Sequence, residues 1–206
     1  MKVLAAYEAE KLLEHYVPVA KSKLTKDVDE ALSFATYPAA LKIISKQALH
    51  KTEIKGVRFV HNRQDLIQQY GELYKIAMQK NIELEGILVQ QFIDGTQVFI
   101  GIKKDAVFGH VIGLGLGGIF VEEFKDVQWR KCPITMHDAD SMIENLKFKN
   151  IIRGTRGSEN NISALKKVIM TLSALPAKHK DLQEMDINPL ILDKNATVVD
   201  ARMVFE

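Results

Sequence analysis

Apolar side chains recur at helical spacing along some stretches of the chain and fall in short continuous runs along others. Between Glu8 and Tyr16, the placing of Leu12, Leu13 and Tyr16 predicts a helix that Pro18 stops, and a second short helix is expected from about Asp27. The run Ala39-Ala-Leu-Lys-Ile-Ile44 reads as a buried strand carrying one lysine. A polar, basic segment from Ser45 to Gly56 leads into a returning strand, Val57-Arg-Phe-Val60. Asn62 is placed to cap a helix whose inner face is Leu66, Tyr70, Leu73 and Ala77. Three strands are then expected, over Gly86-to-Phe92, Gln97-to-Ile102 and Gly109-to-Leu114. The turns at Asp94-Gly95 and Lys104-Asp105 favour an antiparallel meander. The glycine-rich stretch Gly113 to Gly118 is expected to interrupt it, with a further strand over Val127-to-Ile134. Helices follow from about His137 and over Ala164-to-Leu175, the latter capped by Asn161 or Ser163. A closing strand pair, Met185-to-Leu192 and Thr197-to-Val204, turns at Asp193-Lys-Asn195. Helices mixed with antiparallel sheet make the fold class α+β.

Composition narrows the function classes. With 206 residues, 47% of them apolar, the chain can bury a full core as one domain or two closely packed lobes. Lysine and arginine total 28 against 26 acids, and a net charge of +2 is too small to imply a nucleic-acid tract or an anionic membrane surface. Any anion site is therefore local. A single cysteine, Cys132, excludes an internal disulfide or a cysteine-built zinc site. Glu8 and Glu10 break the amino-terminal apolar stretch before a signal-peptide core forms, and no run is long enough to span a bilayer, so a soluble cytoplasmic protein is expected.

Against that background a few residues carry chemistry. In Glu184-Met-Asp-Ile-Asn-Pro-Leu190 the period of two puts Glu184, Asp186 and Asn188 on one strand face, with Met185 and Ile187 turned to the core. Asp200 is expected on the neighbouring strand, pointing to the same face. Several hard oxygen donors together suit Mg2+, which keeps waters and nucleotide phosphates as its other ligands. A solvated sheet face with a turn-forming Asn-Pro fits the same spacing. Lys42 sits in an apolar strand, where an ammonium needs a fixed anion or a route to water along its stem. The glycines from 113 to 118 can cradle phosphate, though they match neither the Walker loop nor the dinucleotide fingerprint. They fit a close-packed sheet equally. His50 stands among lysines. A ring with its ordinary pKa of ~6.5 is largely neutral at pH 7 and can attack a phosphoryl group. Arg153-Gly-Thr-Arg-Gly157 offers two guanidinium forks for phosphate or carboxylate, or simply two solvated arginines.

Taken in order, Tyr7-Glu-Ala-Glu-Lys-Leu-Leu13, Tyr37-Pro-Ala-Ala-Leu-Lys-Ile43, Leu49-His-Lys51, Lys55-Gly-Val57, Gly115-Leu-Gly-Gly-Ile-Phe-Val-Glu122, Arg153-Gly-Thr-Arg-Gly157, Glu184-Met-Asp-Ile-Asn-Pro-Leu190 and Val199-Asp-Ala-Arg202 resemble one family. It is the ATP-grasp β subunit of the NDP-forming acyl-CoA synthetases, also called ADP-forming acetyl-CoA synthetases. More distantly, the chain is similar to the nucleotide subunit of succinyl-CoA synthetase. The resemblance implies an ATP-grasp domain over 1–206, with α+β lobes at about 20–90 and 91–206 enclosing a nucleotide, and an amino-terminal helix at 7–16. It implies a reversible reaction in which acyl-CoA, ADP and phosphate give free acid, CoA and ATP. The partner implied is a CoA-binding α subunit carrying a phosphohistidine, in an assembly of two α and two β chains.

By the same resemblance His50 is a second phosphoryl carrier, and Lys42 contacts nucleotide phosphate, with Lys55, Gly56 and Val57 along it. The stretch Val89 to Ile93, including Gln90 and Ile93, receives adenine, and Asn188 and Asp200 hold Mg2+ with Asp186 close by. Gln97 departs from the family, which generally has a glutamate there that resembles a ribose-binding group. The amide keeps hydrogen bonding to hydroxyls but loses its charge-assisted part. Gln91 departs similarly, at a position where an acid is common. Three other readings stand beside the separate β subunit. One is a non-catalytic nucleotide-binding module regulating an acyltransferase, another an excised domain of a single-chain synthetase; the third, a stand-alone ATP-grasp ligase making an acyl-phosphate, fits less well because it would not need His50.

Overall fold

In the computed structural model, residues 1–45, 56–118, 126–155 and 158–206 are described. They form two compact units, Ala20–Ile93 and a second one built from Met1–Val19 together with Asp94–Glu206.

The smaller unit is a four-stranded antiparallel sheet backed by two helices. Its elements are β2 (Ser22–Thr25), α2 (Val28–Phe34), β3 (Ala39–Ile44), β4 (Val57–Val60), α3 (Arg63–Gln79) and β5 (Gly86–Gln91), with strand order β2-β5-β3-β4. β3 and β4 have the bounds that the apolar runs predict. Asn62 caps α3 as expected, its side chain accepting from the Asp65 N–H at 2.9 Å. Leu66, Tyr70, Leu73 and Ala77 then face β3 and β4 and close a core with Leu41, Ile43, Val60, Ile87 and Val89. Each fully buried Leu or Ile of this kind contributes about 1.5–3 kcal/mol. β2 was not legible as a strand, because Ser22-Lys-Leu-Thr25 has one apolar residue and owes its conformation to pairing with β5.

In the larger unit the elements are β1 (Lys2–Ala5), α1 (Ala6–Leu13), β6 (Thr96–Asp105), β7 (Gly109–Leu116), β8 (Val127–Lys131), α4 (Met136–Glu144), α5 (Lys149–Arg153), β9 (Gly154–Thr155) and β10 (Ser158–Glu159). They continue with α6 (Ile162–Ser173), α7 (Leu175–Lys178), β11 (Leu182–Leu192), β12 (Ala196–Val198) and β13 (Ala201–Phe205). The main sheet runs β1-β13-β11-β6-β7-β8, with β12 beside β11, and β9 pairs β10 apart from it. Ile100, Ile102, Ile112, Leu114, Met185, Ile187 and Met203 turn one sheet face into a core with Leu13, Met142, Ile152, Leu165, Ile169 and Leu172 from the helices. The alternate residues, among them Phe99, Gly101, Lys103, Gly113, Trp129, Asp186 and Arg202, occupy the opposite face.

Several expectations are corrected here. The first helix ends at Leu13, and a strand precedes it. The expected meander holds only from β6 onward, since β5 pairs with β2 and β3 in the smaller unit, and the glycine stretch does not interrupt it. β7 runs through Gly113 and Gly115 to Leu116, because neighbouring groups take the space their side chains would need: a Cβ on Gly113 would lie 2.9 Å from the Trp129 ring, and one on Gly115 2.7 Å from the Asp126 carbonyl. β8 stops at Lys131 rather than Ile134. The last expected strand is two, broken at Val199 and Asp200. Among the described residues no helix is long and apolar enough to cross a membrane.

Candidate functional site

The densest gathering of the singled-out residues lies where β11 bends. Its ladder with β6 shifts register between Ile187 and Leu190, so Asn188 and Pro189 form a bulge, a device that re-aims a side chain. On the other side, Ile187 faces Ala201 and Leu190 faces Val198, which sets Asn188 opposite Asp200. The Asn188 N–H donates to the Asp200 carbonyl at 3.2 Å, and the N–H groups of Val199 and Asp200 both donate to the Pro189 carbonyl. Asp200 is therefore held in the break between β12 and β13 rather than within a strand.

Two residues earlier, Asp186 lies opposite Arg202 and Gly101. Loss of hydration raises its carboxyl above the ordinary aspartate range, and the Asp200 charge adds to that, followed by Glu184 after the opposing pull of Arg202. Its side chain still keeps a water-facing surface. The Glu184 carboxylate lies 3.8 Å from the guanidinium of Arg202, the residue opposite Asp186. Among the described residues no three His, Cys, Asp or Glu side chains are gathered tightly enough to hold a metal by themselves. The donors present are one carboxamide oxygen and two carboxylates, all hard. That set fits Mg2+, which is held by one or two carboxylates with waters and phosphates, and does not fit a full protein cage.

Sequence reasoning missed the contact that fixes Asn188. The Gly118 N–H, just past the end of β7, donates to Asn188 Oδ1 at 2.6 Å. Gly117 donates to the Gln97 carbonyl at 2.8 Å, and the Gln97 side chain lies against Gly118. Paired glycines directly after a strand were the available signal. Gln97 itself sits on β6 opposite Ile191, with its side chain exposed.

The remaining candidates lie elsewhere. Lys42 is buried on β3, opposite Val57 and Leu88, on the sheet face away from α3. Gln90 shares that face, buried, opposite Ala40 and Ser22. The Gly56 carbonyl accepts from the Ile43 N–H at 2.9 Å, tying the residues before β4 to β3, and Ile93 is half-buried at the end of this unit. His50 and Lys55 lie outside the described residues, as does Arg156. Arg153 contacts the Glu144 carboxylate, which Lys149 also approaches at 3.3 Å, so this guanidinium is engaged within its own unit.

Comparisons with known proteins bear on the whole chain. The ATP-grasp domain family matches residues 1–205. The β subunit of acetate–CoA ligase [ADP-forming] II from Pyrococcus furiosus is 38% identical over 98% of this chain and 92% of its own length. Acetate–CoA ligase [ADP-forming] I from Archaeoglobus fulgidus is 35% identical over 94% of this chain, which spans 30% of that protein. Among solved structures, acetyl-coenzyme A synthetase 1 of Ca. Korarchaeum cryptofilum, in complex with coenzyme A and Ca-AMPCP, superposes with a TM-score of 0.94 at 35% identity, covering 100% of this chain and 94% of that one. The same enzyme with Mg-AMPPCP, its phosphohistidine segment pointing towards the nucleotide binding site, gives 0.86 at 32% identity, covering 100% and 93%. By the family match and these identities, the chain belongs to the ATP-grasp domain family and groups with the β subunits of ADP-forming acetate–CoA ligases.

Proposed function

We propose that the chain is the nucleotide-binding β subunit of an ADP-forming acyl-CoA synthetase, working in the cytoplasm with a separate CoA-binding α subunit in an assembly of two chains of each kind. Acyl-CoA, ADP and phosphate give the free acid, CoA and ATP, reversibly. The observation that best supports this is the placing of Asn188 opposite Asp200 with Asp186 beside them, in a chain similar along its whole length to such enzymes. Asn188 Oδ1 and the Asp200 carboxylate hold Mg2+, which when bound neutralises part of the nucleotide's phosphate charge. Lys42 contacts phosphate, with Lys55, Gly56 and Val57 along it. Gln90 and Ile93 meet the adenine, and Gln97 hydrogen-bonds ribose hydroxyls. A ring nitrogen of His50 takes the phosphoryl group from the partner's phosphohistidine, one P–N bond forming as the other breaks. It then yields the group to a terminal oxygen of ADP.

The test pairs the chain with its α subunit, acetyl-CoA, Mg2+, ADP and radiolabelled phosphate, comparing wild type with His50→Asn. Wild type should form ATP and carry acid-labile label on the β chain, and the variant should lose both. An unchanged rate in the variant would remove His50 from the mechanism. Gln97 favours one second reading, a non-catalytic nucleotide-binding module. That reading expects ADP binding with no turnover under any pairing.

A further inference from the structure

A carboxamide is an ambiguous metal ligand, because only its oxygen coordinates a hard cation while the NH2 on the other branch repels one. Which branch points where is set by hydrogen bonding. Among the described residues one donor makes that choice at Asn188: the Gly118 N–H occupies one lone pair of Oδ1 at 2.6 Å, short for an N–H···O bond, and leaves the second lone pair on the same atom. A flipped amide would set its NH2 against that N–H.

The donor is itself held in place. Gly118 has φ +66°, in the left-handed region where only glycine is unstrained. A Cβ there would lie 2.1 Å from Gln97 Oε1. Gly117 is pinned to β6 by its bond to the Gln97 carbonyl, and a Cβ on it would meet the Val98 backbone at 2.8 Å. The two glycines thus let the chain lie flat on the start of β6 and aim one N–H at Asn188. The main chain of Asn188 is fixed from the opposite side by Asp200.

We infer that Gly118 is a positioning residue for the metal: its N–H selects the oxygen branch of Asn188 as the ligand, and its missing side chain lets Gln97 pack on the same backbone, coupling the two. This rests on the reading of Asn188 and Asp200 as Mg2+ ligands. The prediction is directional, because a hydrogen bond that merely competed with the cation would weaken binding, and its loss would then tighten it.

The test is a titration of Mn2+, as a paramagnetic probe, into the full chain with ADP, following free Mn2+ by electron paramagnetic resonance. Wild type, Gly118→Ala, Asn188→Ala, Gly118→Ala/Asn188→Ala and Asp200→Asn are compared, with circular dichroism to verify folding. Gly118→Ala should weaken Mn2+ binding by about tenfold, the scale of losing a group that orients a ligand. In the Asn188→Ala background it should cost nothing further, since its effect passes through Asn188. Equal losses in both backgrounds, or tighter Mn2+ binding, would overturn the inference. Unchanged affinity in both Asn188→Ala and Asp200→Asn would instead sink the metal reading, and the inference with it.

Discussion

Asn188 on β11 faces Asp200 in the break between β12 and β13, joined to it by one backbone hydrogen bond of 3.2 Å from the Asn188 N–H to the Asp200 carbonyl. Because the link is between main chains, it survives any change to the Asp200 side chain, so the carboxylate can be altered without moving its partner.

Asp200→Asn should accordingly leave the fold intact and weaken ADP binding only when Mg2+ is present, by at least about tenfold. Calorimetric titration of ADP with Mg2+ and with EDTA makes the comparison. Equal affinities of variant and wild type in Mg2+ would remove Asp200 from the ligand set.

Asp186 carries a cost in the metal-free protein. Its folded-state pKa is raised, chiefly by lost hydration and then by Asp200, so the charged form is disfavoured in the fold. Below the ordinary aspartate pKa the group is neutral in both states and costs nothing; above the raised folded value the full penalty applies. Asp186→Asn should therefore raise the melting temperature at pH 7 without metal, by roughly 1–3 °C for an exposed site, and the gain should vanish on acidification. A constant gain at every pH would show another cause.

On α3, burial pushes the Tyr70 hydroxyl up to about 12. Its partner is the Thr25 hydroxyl, 3.1 Å away. The neutral phenol is favoured in the fold, so no pH dependence arises below pH 10. Between pH 10 and 12 the unfolded chain releases a proton that the folded one keeps, and stability falls by on the order of 2 kcal/mol. Denaturant unfolding at pH 9 and 11.5 should show that loss in wild type and a smaller one in Tyr70→Phe.

Trp129 is the chain's single tryptophan, so its fluorescence reports one place. The ring lies over Gly113, with the Lys103 ammonium 5.1 Å from its centroid. Gly113→Val should tilt the ring outward and shift emission to the red, at a stability cost of about 1–3 kcal/mol, since the ring sits at the sheet edge and can move. An unshifted emission maximum would mean that the ring does not rest on Gly113 in solution.

What the sequence disclosed follows from how local each cause is. The bounds of β3 and β4, the Asn62 cap and the buried face of α3 depend on neighbours within a few residues, and all were legible. Asn161 was one of two named caps and is the one used, its side chain accepting from the Ala164 N–H. β1 and β2 were missed because each is four residues long and gains its backbone partners from β13 and β5, far along the chain. The glycines of β7 were misread for the same reason: nothing nearby says that Trp129 and Asp126 fill their space. At the candidate site the residue types were readable and their arrangement was not. Asp200 lies in a break that no alternation shows, and the Gly118 bond to Asn188 spans seventy positions.

The ladder of β1 with β13 sets Lys2 beside Phe205, so the larger unit draws on both ends of the chain while the smaller one is a continuous insertion between them. During synthesis the insertion has every strand of its sheet in hand by Gln91, whereas β1 and α1 must wait for a partner made more than a hundred residues later. Long-range pairing of this kind is slow. The order of assembly is then written into the topology: the insertion can complete its sheet first, and β1 finds its partner only once β13 has been made.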